Sequence, residues 1–121
     1  MNSNSFETDD QLAIAENYYD AMLEKNFDRM ASFLHNNVHF ISPFGEIDGK
    51  DAVARAAAKD LCTILQDIKI RSRFTNNNQI MLAYDFIFSG STGKLRAAVL
   101  MEFEGHLISK LELFFDGRQF K

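Results

Sequence analysis

The chain has 121 residues, of which 46% are hydrophobic and 25% charged, and its formal net charge at pH 7 is −4. This is the composition of one globular domain, and it excludes disordered, fibrous and multidomain chains. The acidic balance gives no general attraction for phosphate backbones or anionic lipids, so we expect neither nucleic acid nor a membrane as a partner.

Two helices are predicted in the N-terminal part. Thr8 and Gln11 have capping-box spacing, which predicts a helix from about Asp9 to Lys25 after a disordered or loosely held segment, residues 1–8. The apolar residues of this helix spread over an arc of about 200°, which is wider than a surface helix requires. Something concave must therefore surround it. A short second helix is predicted over Phe27–His35.

A strand, a loop and a third helix follow. A strand is predicted over Val38–Ser42. It ends at Pro43, because proline cannot donate a hydrogen bond to a neighbouring strand. The loop that we predict after it contains Gly45 and Gly49. An alanine-rich helix is predicted over Lys50–Leu65.

From Ile68 onward the apolar residues recur every second position, which is typical of strands. After an asparagine-rich turn, three further strands are predicted over Gln79–Ser89, Leu95–Glu104 and Leu107–Phe115. The short turns between them imply antiparallel hairpins. Helices followed by a meander of strands predict one α+β domain over residues 1–121.

The second face of this sheet needs a cover. On the strand Gln79–Ser89, Leu82 and Phe86 alternate with Met81 and Ile87, so both faces are apolar. The helices can cover one face only. The simplest cover for the other is a second copy of the chain, which predicts a homodimer through the sheet face.

The order and spacing of three regions resemble the nuclear transport factor 2-like superfamily, which includes SnoaL-like polyketide cyclases and ketosteroid isomerases. These regions are Tyr18–Met22 with Asn26–Asp28, Val38–Gly49 with Pro43, and Ile108–Asp116. The resemblance covers essentially the whole chain. It implies a cystatin-like cone in which three helices pack on a strongly curved, mostly antiparallel sheet, with a pocket at the open end and a dimer through the sheet.

The expected ligand is a small, hydrophobic molecule held between the first helix and the curved sheet. The residues expected to bind it are Tyr18, Met22, Phe33, Phe40, Ser42, Tyr84, Phe86, Met101, Phe103, Lys110 and Phe114. The enzymatic hypothesis is SnoaL-like proton transfer on a hydrophobic carbonyl compound. The candidate catalytic residues for it are Asp85, Glu112, His39 and Tyr18.

The ketosteroid isomerase reaction does not carry over, because Ser42 and Met101 stand where that branch of the superfamily carries its acids. Whether the chain is an enzyme at all stays open. The alternative is a non-catalytic association domain whose pocket is filled by side chains.

Several candidates also have a structural explanation. Asp85 interrupts an apolar strand, and an ion pair with Arg96 on the next strand is the alternative to catalysis. Lys110 and Glu112 share one strand face, which places them in the pocket if that face is concave and in a solvated ion pair if it is not. Ser42 can satisfy backbone groups of its own loop.

No cofactor or metal is predicted. The sequence has no His-Glu-x-x-His or Cys-x-x-Cys spacing and no glycine-rich phosphate loop. The basic row Lys69, Arg71 and Arg73 is predicted to be a solvated edge. Without a signal-peptide pattern, and with Cys62 as the single cysteine, we expect a cytoplasmic protein.

Overall fold

The architecture was taken from a computed structural model that describes residues 4–60, 64–90 and 93–116. Within these residues, three helices pack on a six-stranded sheet. The elements in chain order are α1 (Asn4–Leu23), α2 (Phe27–Ser32), β1 (Leu34–Ser42), β2 (Gly45–Asp48), α3 (Lys50–Asp60), β3 (Leu65–Asn76), β4 (Gln79–Phe88), β5 (Lys94–Glu104) and β6 (Leu107–Phe115).

The sheet has the strand order β2-β1-β6-β5-β4-β3, and every neighbouring pair is antiparallel except β1 with β6. Register shifts occur twice between β3 and β4, once between β5 and β6 and once between β1 and β6. Such bulges increase the local twist and bend the strands, so the sheet curves around the helices. The predicted α+β class with a curved, mostly antiparallel sheet is confirmed.

The long helix α1 lies in the hollow of the sheet. Tyr18, Tyr19 and Met22 are buried against the face that carries Tyr84 and Phe86, which we call the inner face. The opposite face is called the outer face. The wide apolar arc of α1 is thus accounted for, because a curved sheet contacts a helix over more of its circumference than a flat one.

Gln11 connects α1 to two hairpin turns by hydrogen bonds. Its side chain is fully buried, and its Nε2 donates to Oδ1 of Asn78 and to the carbonyl oxygen of Gly105, both at 3.0 Å. These acceptors lie in the β3–β4 and β5–β6 turns. One amide therefore fixes the helix at the end of the sheet where both turns lie.

The boundaries of α1 and α3 differ from the predictions. Helix α1 begins at Asn4, so Thr8 lies inside it and does not cap it. Residues 4–8 contain no proline or glycine that would stop the helix. The expectation for residues 1–3 lies outside the described residues. Helix α3 is described only to Asp60, and Leu65 already pairs with Phe88 in the sheet, so a helix through Leu65 was wrong.

The region around Pro43 is a hairpin, where we predicted one strand and a loop. Strand β1 begins at Leu34, which pairs with Ile108, so the second helix ends earlier than predicted. After the turn, Gly45 adopts a φ of 137°, a value that L side chains rarely adopt, and starts β2. The β1–β2 hairpin forms one edge of the sheet.

Candidate functional site

A cavity of about 430 Å³ lies between α1, α3, the inner face of the sheet and the β1–β2 hairpin. Most of its lining side chains are aliphatic or aromatic. The lining residues are Tyr18, Tyr19, Met22, Phe40, Ser42, Phe44, Gly45, Glu46, Ile47, Val53, Ala56, Ala57, Tyr84, Phe86, Leu95, Leu111, Leu113 and Phe115.

Two phenols meet on the wall of this cavity. The hydroxyl oxygens of Tyr19 and Tyr84 lie 2.7 Å apart, and their rings pack edge to face with centroids 4.9 Å apart. Burial raises the pKa of both phenols, so both stay protonated. One hydroxyl donates to the other, and the accepting hydroxyl keeps its own hydrogen for a further acceptor.

The β1–β2 hairpin forms the rim of the cavity. Ser42 Oγ accepts a hydrogen bond from the backbone N–H of Phe44 at 3.1 Å, which is the local structural role considered for this serine. The Phe44 side chain is 67% exposed, and its ring packs edge to face on Phe115 with centroids 5.3 Å apart. An exposed aromatic side chain on the rim extends the apolar surface of the cavity toward solvent.

His39 lies between two carboxylates on the hairpin. Its Nε2 is 2.7 Å from Oε1 of Glu46, and its Nδ1 contacts Oδ1 of Asp48. The hydrogen bonds that the His39 ring donates, first to Asp48 and second to Glu46, raise the pKa of His39 above its ordinary value. Glu46 borders the cavity, but it pairs with Ile41, whose partner on β6 is Glu112, and His39 pairs with Lys110. The cluster therefore lies on the outer face, and His39, expected to be catalytic, does not line the cavity.

We expect His39 to titrate above its ordinary pKa and to make the hairpin stability depend on pH. Because the folded-state pKa is raised, the stabilisation is complete below the unfolded-state value of about 6.5 and is lost as pH rises through the folded-state value. NMR titration of the ring measures this pKa. Asp48→Asn should return it toward the ordinary value by more than Glu46→Gln does. Asp51→Asn on α3 is the control, and an unchanged His39 titration in both hairpin variants would contradict the assignment.

Six of the expected binding residues line the cavity: Tyr18, Met22, Phe40, Ser42, Tyr84 and Phe86. Met101 and Phe103 are buried in the hydrophobic core but do not line the cavity. Phe33 packs against the same core, with the Arg29 guanidinium 5.7 Å from its ring centroid. These three apolar residues belong to the core beyond the cavity.

Lys110, Glu112 and Phe114 lie on the outer face, so their expected place in the cavity is corrected. They pair with Glu102, Leu100 and Ala98 of β5, whose side chains point away from the helices. The physical reason is a bulge near Ser109, which shifts the alternation of β6 by one residue. The inner face is instead formed by Leu111, Leu113 and Phe115.

Asp85 also lies on the outer face, with its side chain only 8% exposed. Its Oδ1 is 3.3 Å from Nε of Arg96 and 3.6 Å from Nε of Arg71. The ion pair considered as the alternative to catalysis is therefore present. Arg73, by contrast, contacts the Glu16 carboxylate of α1. The predicted basic row is therefore not on one face, because Arg71 lies on the outer face and Arg73 on the inner face.

A sequence profile of the SnoaL-like domain matches residues 15–111, which is most of the chain. The chain belongs to the SnoaL-like domain family. It is thereby a member of the nuclear transport factor 2-like superfamily, as the resemblance implied. No curated protein gives a significant match to the sequence.

Solved structures share the fold of this SnoaL-like domain. A Kribbella flavida DSM 17836 protein is 27% identical with a TM-score of 0.81, and the match covers 90% of this chain and 88% of that one. An NTF2-like protein from Cytophaga hutchinsonii is 23% identical with a TM-score of 0.75, covering 87% and 88%. A protein of cystatin-like fold from Methylobium petroleophilum PM1 is 15% identical with a TM-score of 0.80, covering 89% and 76%.

The sequence reasoning missed the contribution of α3 to the cavity. Val53, Ala56 and Ala57 line it, and the small alanine side chains leave the space that the cavity occupies. The signal was the alanine-rich composition of α3. It also missed Glu46, because a residue in a predicted loop could not be placed against the cavity.

In the described part of the SnoaL-like domain, no group of three or more His, Cys, Asp or Glu side chains is arranged to hold a metal ion. Cys62 lies outside the described residues. None of the described helices combines the length and apolar character of a membrane span.

Proposed function

We propose that this SnoaL-like domain binds a small, largely apolar molecule with a carbonyl-type acceptor. The observation that carries the proposal is an apolar cavity with the Tyr19–Tyr84 hydroxyl pair on its wall. A volume of about 430 Å³ falls in the range of natural ligand sites. Membership of the SnoaL-like family supports the same conclusion.

The polar groups of the cavity favour a neutral ligand. The two phenols stay protonated, so the pair offers a hydrogen-bond donor rather than a charge. A ligand acceptor that met this donor would satisfy the remaining hydroxyl hydrogen, and the apolar walls would contact the rest of the molecule. An anionic ligand would lose its hydration without gaining a cation from the phenols.

Proton transfer has less support than ligand binding. Asp85, Glu112 and His39 lie on the outer face, and the Glu46 carboxylate, 2.7 Å from Nε2 of His39, lies on that face too, although Glu46 borders the cavity. The described residues that line the cavity therefore present no carboxylate or imidazole as a base for proton abstraction, which favours binding without chemistry.

The hydroxyl pair should select for the carbonyl group. A suitable probe is prodan, a neutral naphthyl ketone with polarity-sensitive fluorescence, compared with the dimethylaminonaphthalene that lacks the ketone. We expect Tyr19→Phe combined with Tyr84→Phe to weaken prodan binding about fivefold and to leave the ketone-free compound unchanged, because one hydrogen bond is worth about 1 kcal/mol. Fluorescence titration measures both affinities.

Tyr18→Phe is the matched control, since Tyr18 also lines the cavity but lies outside the pair. Equal losses for both compounds would contradict a role for the hydroxyls. A wild-type protein that binds neither compound would contradict the binding proposal in favour of the association domain.

We also propose that the domain is a homodimer through the outer face of the sheet. Met81, Ala83 and Ile87 of β4 lie on that face and are only partly buried. The side chain of Phe74 on β3 is 57% exposed and that of Phe114 on β6 is 45% exposed. Apolar surface of this kind, continuous across several strands, is typical of a protein interface.

A further inference from the structure

The outer face of β5 carries an ordered run of charge. Alternate residues of this strand point outward, as its burial pattern shows. From the start of the strand to its end they are two basic, two apolar and two acidic residues: Lys94, Arg96, Ala98, Leu100, Glu102 and Glu104. The run is antisymmetric in charge about Val99, whose own side chain is buried on the inner face.

The neighbouring strands continue the apolar middle of this run. Ala98 pairs with Ala83 of β4 and Phe114 of β6, and Leu100 pairs with Met81 of β4. Only Glu112, opposite Leu100 on β6, adds a charge to these two rows. An apolar band therefore crosses β4 and β5 between a basic end and an acidic end.

The basic end is held in place within the domain. Arg96 and Arg71 both lie beside the Asp85 carboxylate, at 3.3 Å and 3.6 Å. Two guanidinium groups on one carboxylate leave an excess of positive charge. The Arg96 side chain is nevertheless 64% exposed, so it can meet an anion from outside.

We propose that two copies pack outer face to outer face about a twofold axis. The axis lies between the two outer faces, passes over Val99 of β5 and runs perpendicular to the strands. This inference rests on the homodimer proposed above and specifies its geometry. The axis sets Arg96 against the partner's Glu102, Lys94 against the partner's Glu104 and Ala98 against the partner's Leu100. A twofold interface is self-complementary, so each charged pair occurs twice.

Charge decides between this axis and its alternative. A twofold axis parallel to the strands would set each row of β5 against the same row of the partner. Arg96 would then face the partner's Arg96, and Glu102 the partner's Glu102. Like charges brought together at an interface cost several kcal/mol, so the perpendicular axis is favoured.

Charge reversal tests the arrangement by sedimentation velocity over a concentration series. We expect Arg96→Glu and Glu102→Arg each to weaken dimerisation at least about tenfold, because each opposes like charges twice. The double variant restores opposite charges and should return the dissociation constant to within about threefold of wild type. Arg55→Glu, at an exposed position on α3, is the control with the same change of charge.

Lys94→Glu and Glu104→Lys provide a second pair that does not touch Asp85, in case Arg96→Glu disturbs folding. They should show the same loss and recovery with smaller amplitude. A dimer that is insensitive to these reversals, or not restored by the double variants, overturns the arrangement and leaves the homodimer standing. A monomeric wild type overturns both, while prodan binding reports separately on the cavity.

Discussion

Tyr84→Ala is expected to lower the free energy of unfolding by about 3–5 kcal/mol, which is a large part of the stability of a small domain. The Tyr84 side chain is fully buried. Its ring lies 4.9 Å from that of Tyr19 and 4.8 Å from that of Phe86, between centroids. Removal of the ring would leave a space at the centre of this aromatic cluster that a packed sheet cannot close.

Tyr84→Phe separates the ring from its hydroxyl. It keeps the packing and removes only the hydrogen bond to Tyr19, so we expect a loss of about 1 kcal/mol. Urea denaturation measures both variants, and an unchanged slope confirms that the same surface is exposed on unfolding. Phe44→Ala, at an exposed aromatic position on the cavity rim and outside the proposed dimer interface, is the control. If Tyr84→Ala cost no more than Tyr84→Phe, the ring would not be the structural element that we describe.

The order of the main elements could be predicted because burial imposes periodicity on the sequence. The apolar arc of α1 predicted a concave surround, and the curved sheet provides it. The alternation in β4 and β5 predicted two distinct faces, and their buried residues, from Ile80 to Phe88 and from Leu95 to Phe103, follow that alternation in the structure. Both patterns extend over enough residues to determine the element without knowledge of its neighbours.

The orientation of β6 could not be predicted in the same way. Ile108 and Leu111 are both buried on the inner face, although they are separated by an odd number of positions. The bulge near Ser109 reconciles them, and Ser109 Oγ donates to the carbonyl oxygen of Glu102 at 3.1 Å. A bulge depends on the partner strand, so the sequence of β6 alone could not reveal that Lys110 and Glu112 face outward.

The candidate site was predicted best where one element supplies several lining residues. Tyr18 and Met22 lie one helical turn apart on α1, so the helical period placed both in the cavity. The contributions of Glu46 and Ala57 depend on how the hairpin and α3 fold back over the sheet. Those positions result from packing between distant segments, which a periodic pattern does not encode.

Ala57→Phe is expected to weaken prodan binding at least about 100-fold, a change of about 2.7 kcal/mol. Ala57 lines the cavity from α3, where its methyl group leaves the space open. A cavity of about 150 Å³ holds a benzene ring, so one phenylalanine ring would take up roughly a third of the 430 Å³. Prodan has roughly three times as many non-hydrogen atoms as benzene, so it needs about the whole of this cavity and would no longer fit beside the added ring.

Fluorescence titration measures the loss, and thermal unfolding shows whether the variant remains folded. Ala13→Phe adds the same ring at an exposed position of α1, so its affinity for prodan should stay within about twofold of wild type. Ala57→Phe should stay folded, because the added ring enters empty space instead of a close-packed core. If the folded variant bound prodan as tightly as wild type, the ligand would have to bind outside this cavity. Loss of binding in Ala57→Phe together with full dimerisation would show that the inner and outer faces act independently.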